Sequence, residues 1–131
     1  MSPGLTGIDS NILVYAFDRS EGEKHEAARK LVSELIESGK VVLSVQNLTE
    51  FFFVSTNHIE QPIGEEEALD IIRDFRKSDA TVESMTPENS IKAAKVHEKK
   101  NTDFWDALLT QTLKQNEVEK IITENTQDFK D

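Results

Sequence analysis

Apolar residues along the chain repeat at two spacings, one typical of buried strands and one typical of amphipathic helices. Continuous short apolar runs predict four strands, at Leu5–Ile8, Val41–Leu43, Ala80–Met85 and Lys120–Thr123. Apolar residues spaced three or four apart predict the helices, at Asn11–Phe17, Ala27–Ile36, Val45–Thr56, Glu65–Phe75, Pro87–Glu98 and Phe104–Gln115. Strands therefore alternate with helices, which is the order typical of a parallel α/β sheet.

Local residues at the ends of these segments indicate where the helices begin. Ser20 followed by Glu23 predicts a capping box at the start of the second helix. Thr86 and Pro87 form an N-cap and N1 pair for the fifth helix. The strands are apolar throughout rather than alternating, so we expect a parallel sheet flanked by helices on both faces.

The composition limits the classes of protein that this chain can belong to. Its 131 residues fit one domain, 1–131, with a core that needs no disulfide or structural metal. The absence of cysteine excludes zinc-thiolate sites, thiol catalysis and a disulfide scaffold. A net charge of -10 argues against loose, charge-driven attachment to nucleic acid. It leaves open a nucleic-acid enzyme whose acidic residues hold cations.

The apolar segments are too short for a membrane protein. The longest runs, Val41–Val45 and Phe51–Val54, are far below the ~20 residues that cross a bilayer. The first residues also lack the basic and then apolar pattern of a secretory signal. We therefore expect a cytoplasmic protein without a membrane span.

Several acidic residues lie in stretches that contain no Lys or Arg. The stretches are 1–18, 41–72, 101–113 and 121–129, and the acids of interest are Asp9, Glu50, Asp103, Asp106, Glu124 and Asp128. A structural acid on a helix usually has a base three or four positions away, but Glu50 and Asp106 have none. Two unit charges ~4 Å apart repel by about 4 kcal/mol at an effective dielectric of 20. A cluster of these acids would therefore need a cation from outside the chain.

These acids follow predicted strands or open predicted helices, which places them at one edge of a parallel sheet, where active sites lie. Oxygen ligands without cysteine or a histidine set favour Mg²⁺ or Mn²⁺ over zinc. Such ions hydrolyse phosphodiesters by activating water. Simpler roles remain open at this point: Asp9 can cap a helix, Asp106 can interact with a helix dipole, and Glu124 and Asp128 can be ordinary loop residues.

Four segments together resemble a known family. They are IDSNILVYAFDRS, LSVQNLTEFFFV, DFWDALL and IITENTQDF, and they occur in the family's order. The chain resembles the PIN-domain family, most closely the VapC-type toxin ribonucleases of VapBC toxin–antitoxin systems. The resemblance implies a PIN-like three-layer fold and a Mg²⁺- or Mn²⁺-dependent endoribonuclease. It also implies an RNA substrate, a homodimer and a small VapB-like antitoxin.

The resemblance assigns roles to residues in the first three segments. Asp9, Glu50 and Asp106 match the family's core acids and are expected to bind the metal. Ser10 and Asn11 match polar positions beside the first acid, where they are expected to orient it.

The last segment departs from the family pattern. The pattern T-x-[DN]-x-x-[DE]-F matches Thr123, Asn125 and Asp128, and many relatives carry an acid where this chain has Asn125. An amide brings no charge to a metal. Asp128, or in its place Glu124, is therefore expected to supply the fourth carboxylate, with Thr123 and Asn125 as supporting polar residues.

Two other functions compete with this interpretation. Another Mg²⁺-dependent phosphoryl-transfer enzyme, such as a phosphatase or receiver-like domain, typically has paired acids at the first strand and a lysine after a late strand. Here Asp9 is followed by Ser10 and Asn11, and no lysine follows the last predicted strand before Lys130. A non-catalytic PIN-like module that binds protein or RNA is the second alternative, and retention of the three core acids weighs against it.

Overall fold

The structure is a computed structural model that describes residues 4–124 and 127–128, the last two for their backbone only. The described strands are β1 (Leu5–Ile8), β2 (Val41–Ser44), β3 (Thr81–Glu83), β4 (Val118–Ile122) and β5 (Gln127–Asp128). The described helices are α1 (Ser10–Phe17), α2 (Glu23–Ser38), α3 (Val45–Asn57), α4 (Glu65–Lys77), α5 (Pro87–Lys100) and α6 (Phe104–Gln115). Within this part of the chain, no helix is both long and apolar enough to cross a membrane.

The strands form one sheet with the order β3-β2-β1-β4-β5. The first four strands are parallel, with Thr6 opposite Val41 and Gly7 opposite Ile121 in the register of β1. Strand β5 pairs with β4 in the antiparallel direction. The predicted parallel α/β sheet is therefore confirmed, and the antiparallel edge strand is an addition that the sequence pattern did not indicate.

One face of the sheet packs against α1 to α4. Val41 and Leu43 point into this layer together with residues of the four helices. At its centre, Phe17, Phe51 and Phe75 meet edge to face, with ring centroids 5.3 to 6.5 Å apart. Such aromatic pairs add stability beyond the area they bury.

The opposite face of the sheet packs against α6. Val42, which lies between two residues of the first layer, contacts the cluster that contains Leu109 and Leu113. Gly7 allows α6 to approach closely, because an added Cβ at this position would lie 2.6 Å from a methyl group of Leu113. Helix α5 then packs on α6 through Ala93. Helices therefore cover both faces, as the apolar strands predict.

The connections from strand to helix at the carboxyl edge are very short. Asp9 alone separates β1 from α1, and β2 passes into α3 with no residue between them. Ser44 ends β2 and caps α3, because its Oγ accepts a hydrogen bond from the Gln46 backbone N–H at 3.0 Å. Side chains near the starts of α1 and α3 are thus held at the edge of adjacent strands.

Some predicted boundaries are wrong. Ser20 and Glu23 do not form a capping box; Ser20 lies in a 3₁₀ turn that Asp18 caps, and α2 begins after Gly22. The Asp18 carboxylate accepts both the backbone N–H and the hydroxyl of Ser20, which engages the hydroxyl locally. The third strand is shorter than predicted, and the fourth begins at Val118, two residues earlier than predicted.

Candidate active site

Asp9 lies at the junction of β1 and α1. Its backbone N–H donates to the Ile122 carbonyl at 2.9 Å, which ties the junction to β4. Its Oδ1 accepts the Asn11 backbone N–H at 3.3 Å, so Asp9 is the N-cap of α1. Burial raises the pKa of the Asp9 carboxyl, the backbone N–H groups of Asn11 and Ser10 lower it in part, and the Glu124 carboxylate raises it further. Asp9 is thus a helix cap and also a partly desolvated acid.

Glu50 projects from the second turn of α3 and is fixed by a neighbour from α1. The Ser10 hydroxyl donates to Glu50 Oε1 at 2.6 Å. Ser10 is itself buried, and its Oγ accepts a hydrogen bond from Asn47 Nδ2 at 3.0 Å. The Ser10 hydroxyl is therefore directed at Glu50, whereas its backbone N–H acts on Asp9.

Asn47 connects the two helix starts from inside the fold. Its side chain is fully buried, and its Nδ2 also donates to the Ile8 carbonyl at 3.1 Å. Its Oδ1 accepts the Ser44 backbone N–H at 2.9 Å, completing a capping box with that residue. Asn47 thus links the ends of β1 and β2 and positions Ser10.

Asp106 is the third residue of α6, and its backbone N–H donates to the carboxylate of Asp103, the N-cap, at 3.0 Å. Burial, followed by repulsion from Asp103, Asp9 and Glu50, raises the pKa of the Asp106 carboxyl. The charges of Asp9 and Glu50 therefore act on Asp106 across the site.

The three acids line one pocket with a volume of about 580 Å³. They come from α3, from α6 and from the residue before α1, and no Lys or Arg of the described chain lines the pocket. Apolar side chains such as Phe53 and Trp105 line the pocket as well, together with polar residues such as Thr49. Within residues 4–124, however, no group of three Asp, Glu or His side chains is close enough to hold a metal ion in its present arrangement. The acids share a pocket without forming a compact cage.

The sequence matches the model of the PIN domain over residues 8–131. The chain belongs to the PIN-domain family. The match includes both edge strands of the sheet, β3 and β5, and all three core acids. It agrees with the resemblance inferred from the four motifs. Among proteins with curated descriptions, none matches the sequence of this PIN domain.

Solved structures share the fold of this PIN domain. The sarcin–ricin loop cleaving toxin VapC20 of Mycobacterium tuberculosis aligns with a TM-score of 0.70 and 15% sequence identity, over 88% of this chain and 86% of that one. A toxin–antitoxin complex from Klebsiella pneumoniae gives 0.63 and 17%, over 95% of this chain and 89% of the matched chain. These similarities show a common PIN-like α/β fold.

Glu124, the alternative fourth carboxylate, has other partners in the PIN domain. The Tyr15 hydroxyl donates to its Oε1 at 2.6 Å, and Lys24 Nζ lies 3.6 Å from its Oε2. These two contacts lower the pKa of the exposed Glu124 carboxyl, and the hydrogen bond raises the pKa of Tyr15 to about 12. Glu124 influences Asp9 by charge but does not line the pocket.

The remaining predicted site residues are Asn11, Thr123, Asn125 and Asp128. Asn11 lines the pocket and donates its backbone N–H to Asp9. Thr123 follows β4 and is half-buried. The backbone of Asp128 pairs with that of Lys120 in the sheet, whereas Asn125 lies outside the described residues. The identity of the fourth ligand stays a prediction.

Sequence reasoning missed Asn47, Tyr15 and the apolar wall of the pocket. An amide three residues after Ser44 was an available signal, because it is the spacing of a capping box. The contact of Tyr15 with Glu124 spans 109 positions, and no local pattern in the sequence predicts it.

Proposed function

We propose that this PIN domain is a single-domain, divalent-metal-dependent endoribonuclease, the toxin of a type II toxin–antitoxin pair. The observation that carries the proposal is the presence of Asp9, Glu50 and Asp106 on one pocket without a cationic side chain. Family membership and the fold shared with VapC20 support the assignment to nuclease chemistry.

The donor set fits Mg²⁺ or Mn²⁺. Carboxylate oxygens are the ligands that these hard cations prefer, and the site's own charges repel one another when no cation is bound. Asp9, Glu50 and Asp106 would hold the ion, and the family resemblance assigns Asp128 as a fourth ligand. When bound, the ion would activate water and neutralise the charge on a phosphodiester.

The protein's own contribution is to fix the orientation of these carboxylates. Ser10 donates to Glu50 and so restricts the orientation of that carboxylate, while Asn47 fixes Ser10 from below. The N-terminus of α1 holds Asp9 through the Asn11 N–H. Loss of a supporting hydrogen bond of this kind typically lowers metal affinity or activity by about 10- to 100-fold.

Cleavage of RNA tests the proposal directly. We expect structured and single-stranded RNAs to be cut in Mg²⁺ or Mn²⁺ and to stay intact in EDTA. Asp106→Asn should lower the rate by more than about 100-fold, beyond the usual effect of an outer-shell residue. The matched control is Asp74→Asn, an exposed acid of α4 outside the pocket, which should keep the native rate. Cleavage that persists in Asp106→Asn would contradict the assignment.

The proposed partners follow from the same assignment. The Klebsiella pneumoniae neighbour is a toxin–antitoxin complex, which supports a search for a small VapB-like antitoxin encoded beside this gene. We further propose a homodimer that acts on cytoplasmic RNA. Co-expression with the adjacent open reading frame should suppress cleavage, and light scattering of the purified protein should give the mass of two 14.8 kDa chains. A monomer mass, or an adjacent product that leaves cleavage unchanged, would contradict these partner assignments.

A further inference from the structure

The apolar wall of the active-site pocket contains three large side chains that are exposed to solvent. Phe53 is 58% exposed, Trp105 57% and Met85 36%, and all three line the pocket that holds the acids. The free energy of the system falls when large apolar side chains are transferred out of water. Aromatic rings left open beside a polar site are therefore suited to receive a flat ligand.

The backbone at Trp105 is fixed, while much of its side chain remains exposed. Its carbonyl accepts a hydrogen bond from Gln46 Nε2 at 2.9 Å. Its indole meets Phe104 edge to face, with centroids 5.3 Å apart and planes at 79°. This arrangement positions the ring at the rim of the pocket, with surface remaining for stacking.

Gln46 supplies an independent indication of a ligand. The residue is 4% exposed and lines the pocket, and its Oε1 has no hydrogen-bond donor among the described residues. A buried acceptor without a partner costs free energy, so native proteins rarely keep one. Rotating the amide would not help, because Nε2 already pairs with the Trp105 carbonyl. A bound molecule with an N–H or O–H group, a ligand or a water, would supply the donor that Oε1 lacks among the described residues.

We propose that this wall is a nucleobase subsite that binds one unstacked base of single-stranded RNA next to the bond that is cut. The base stacks on Trp105 between Phe53 and Met85, and a donor on its edge pairs with Gln46 Oε1. This inference rests on the proposed ribonuclease function for its biological context. Stacking of bases on aromatic side chains is a common way in which proteins bind single-stranded nucleic acid.

The position of the wall favours a nucleotide over a peptide. The acids and the rings line one pocket of about 580 Å³, within the size range of roughly 300–1,000 Å³ for small-molecule sites. A nucleotide carries a phosphate for the metal-loaded acids and a flat base for the rings in one unit. Because Gln46 Oε1 lies below the surface, we expect side chains at the rim to move as the base enters.

Trp105 is the only tryptophan of the chain, so its fluorescence reports directly on this subsite. Adenosine, cytidine and uridine, titrated without metal, should quench its emission in the millimolar range, whereas ribose should not. 3-Methyluridine, which lacks the edge N–H, should bind about fivefold more weakly than uridine, the effect of losing one hydrogen bond. Nucleosides carry no phosphodiester, so this test does not depend on cleavage.

Variants separate the hydrogen bond from the stacking. Gln46→Met should abolish the difference between uridine and 3-methyluridine, and Phe53→Ala should weaken both. Ile91→Ala is the matched control, because Ile91 is 50% exposed on α5 and does not line the pocket. The comparison of uridine with 3-methyluridine on the native protein remains decisive if Gln46→Met does not fold.

Equal quenching by ribose and uridine, or no quenching by any nucleoside, would overturn the subsite. Protection of Trp105 from acrylamide by an amphipathic leucine-rich peptide, with no protection by nucleosides, would instead assign the wall to a polypeptide. If nucleosides quench and no RNA is cleaved, the proposed function fails while the subsite stands. If RNA is cleaved and no nucleoside binds, the subsite alone fails.

Discussion

Replacing Asn47 by alanine should weaken both the fold and the metal site. The substitution removes the acceptor for the buried Ser44 N–H and the donor to the Ile8 carbonyl. It also removes the donor that holds Ser10, the residue that orients Glu50. The matched control is Asn89→Ala, since Asn89 is likewise buried and completes the capping box of α5.

The hydrogen bonds that are lost set the expected size of the effect. A buried polar group left without a partner costs about 1–3 kcal/mol. Asn47→Ala takes a partner from two backbone groups, the Ser44 N–H and the Ile8 carbonyl, and removes one of the two hydrogen bonds of the Ser10 hydroxyl. We therefore expect a loss of about 3–5 kcal/mol in the free energy of unfolding. Asn89→Ala removes bonds to Thr86 and Gln115, which lie nearer to solvent, and should cost about 1–3 kcal/mol.

Urea unfolding with and without Mn²⁺ separates stability from metal affinity. An ion present at a hundred times its dissociation constant stabilises the native protein by about 2.7 kcal/mol. A tenfold loss of affinity in Asn47→Ala would reduce this gain to about 1.4 kcal/mol at the same Mn²⁺ concentration. Asn89→Ala should keep the full gain. Equal Mn²⁺ stabilisation of the two variants would refute the argument that Asn47 positions the metal site.

Three further predictions concern the charged groups around the pocket. Asp9→Asn should raise the free energy of unfolding without metal at pH 7 and abolish cleavage. Burial raises the pKa of Asp9 in the folded state, so the charged carboxylate destabilises the fold at pH values above that pKa. The stability gained by Asp9→Asn should therefore shrink towards pH 4 in urea melts. Asp128→Ala should slow Mn²⁺-dependent cleavage more than Asn125→Ala; a reversed order in parallel rate measurements would place the amide on the metal. Tyr15 is the only tyrosine, and its absorbance at 295 nm should stay nearly constant up to about pH 10.5. Glu124→Gln should lower the pKa of Tyr15 towards its ordinary value of about 10, while burial and the charges of Glu21 and Asp9 keep it somewhat raised. Ionisation at the same pH in both proteins would exclude the Glu124 carboxylate as the main cause.

The sheet and its helices could be predicted because their signals are local. Continuous apolar runs and helical spacing depend on neighbouring residues, and so do caps such as Thr86, whose hydroxyl accepts the Asn89 backbone N–H. The error at Ser20 arose from competition between two local partners. The preceding Asp18 engages the Ser20 hydroxyl, and an S-x-x-E pattern cannot indicate which partner forms the bond.

The acids of the site were selected because no Lys or Arg lies near them in the sequence, and this criterion requires no knowledge of the fold. The groups that orient them could not be found in this way. Asn47 reaches Ile8 across 39 positions, and Gln46 reaches the Trp105 backbone across 59. Such contacts depend on how strands and helices pack, so their partners become identifiable only in the folded chain.

The loop-free passage from β2 into α3 makes the site sensitive to chain length rather than to loop conformation. One residue inserted after Ser44 would turn every later position of α3 by about 100°, because an α-helix has 3.6 residues per turn. Glu50 would then leave the pocket while Phe51 turned out of the core. In the stretch from 58 to 64, between α3 and α4, an added residue would not change the helical register of α3, although the Ile63 backbone N–H donates to the Ser55 carbonyl at 3.0 Å. An alanine-insertion scan should therefore show inactive proteins for insertions after Ser44 and active ones within 58–64, and the reverse outcome would mean that α3 can slide. In this chain, the position of Glu50 in the pocket therefore depends on the length of the six-residue interval from Ser44 to Glu50.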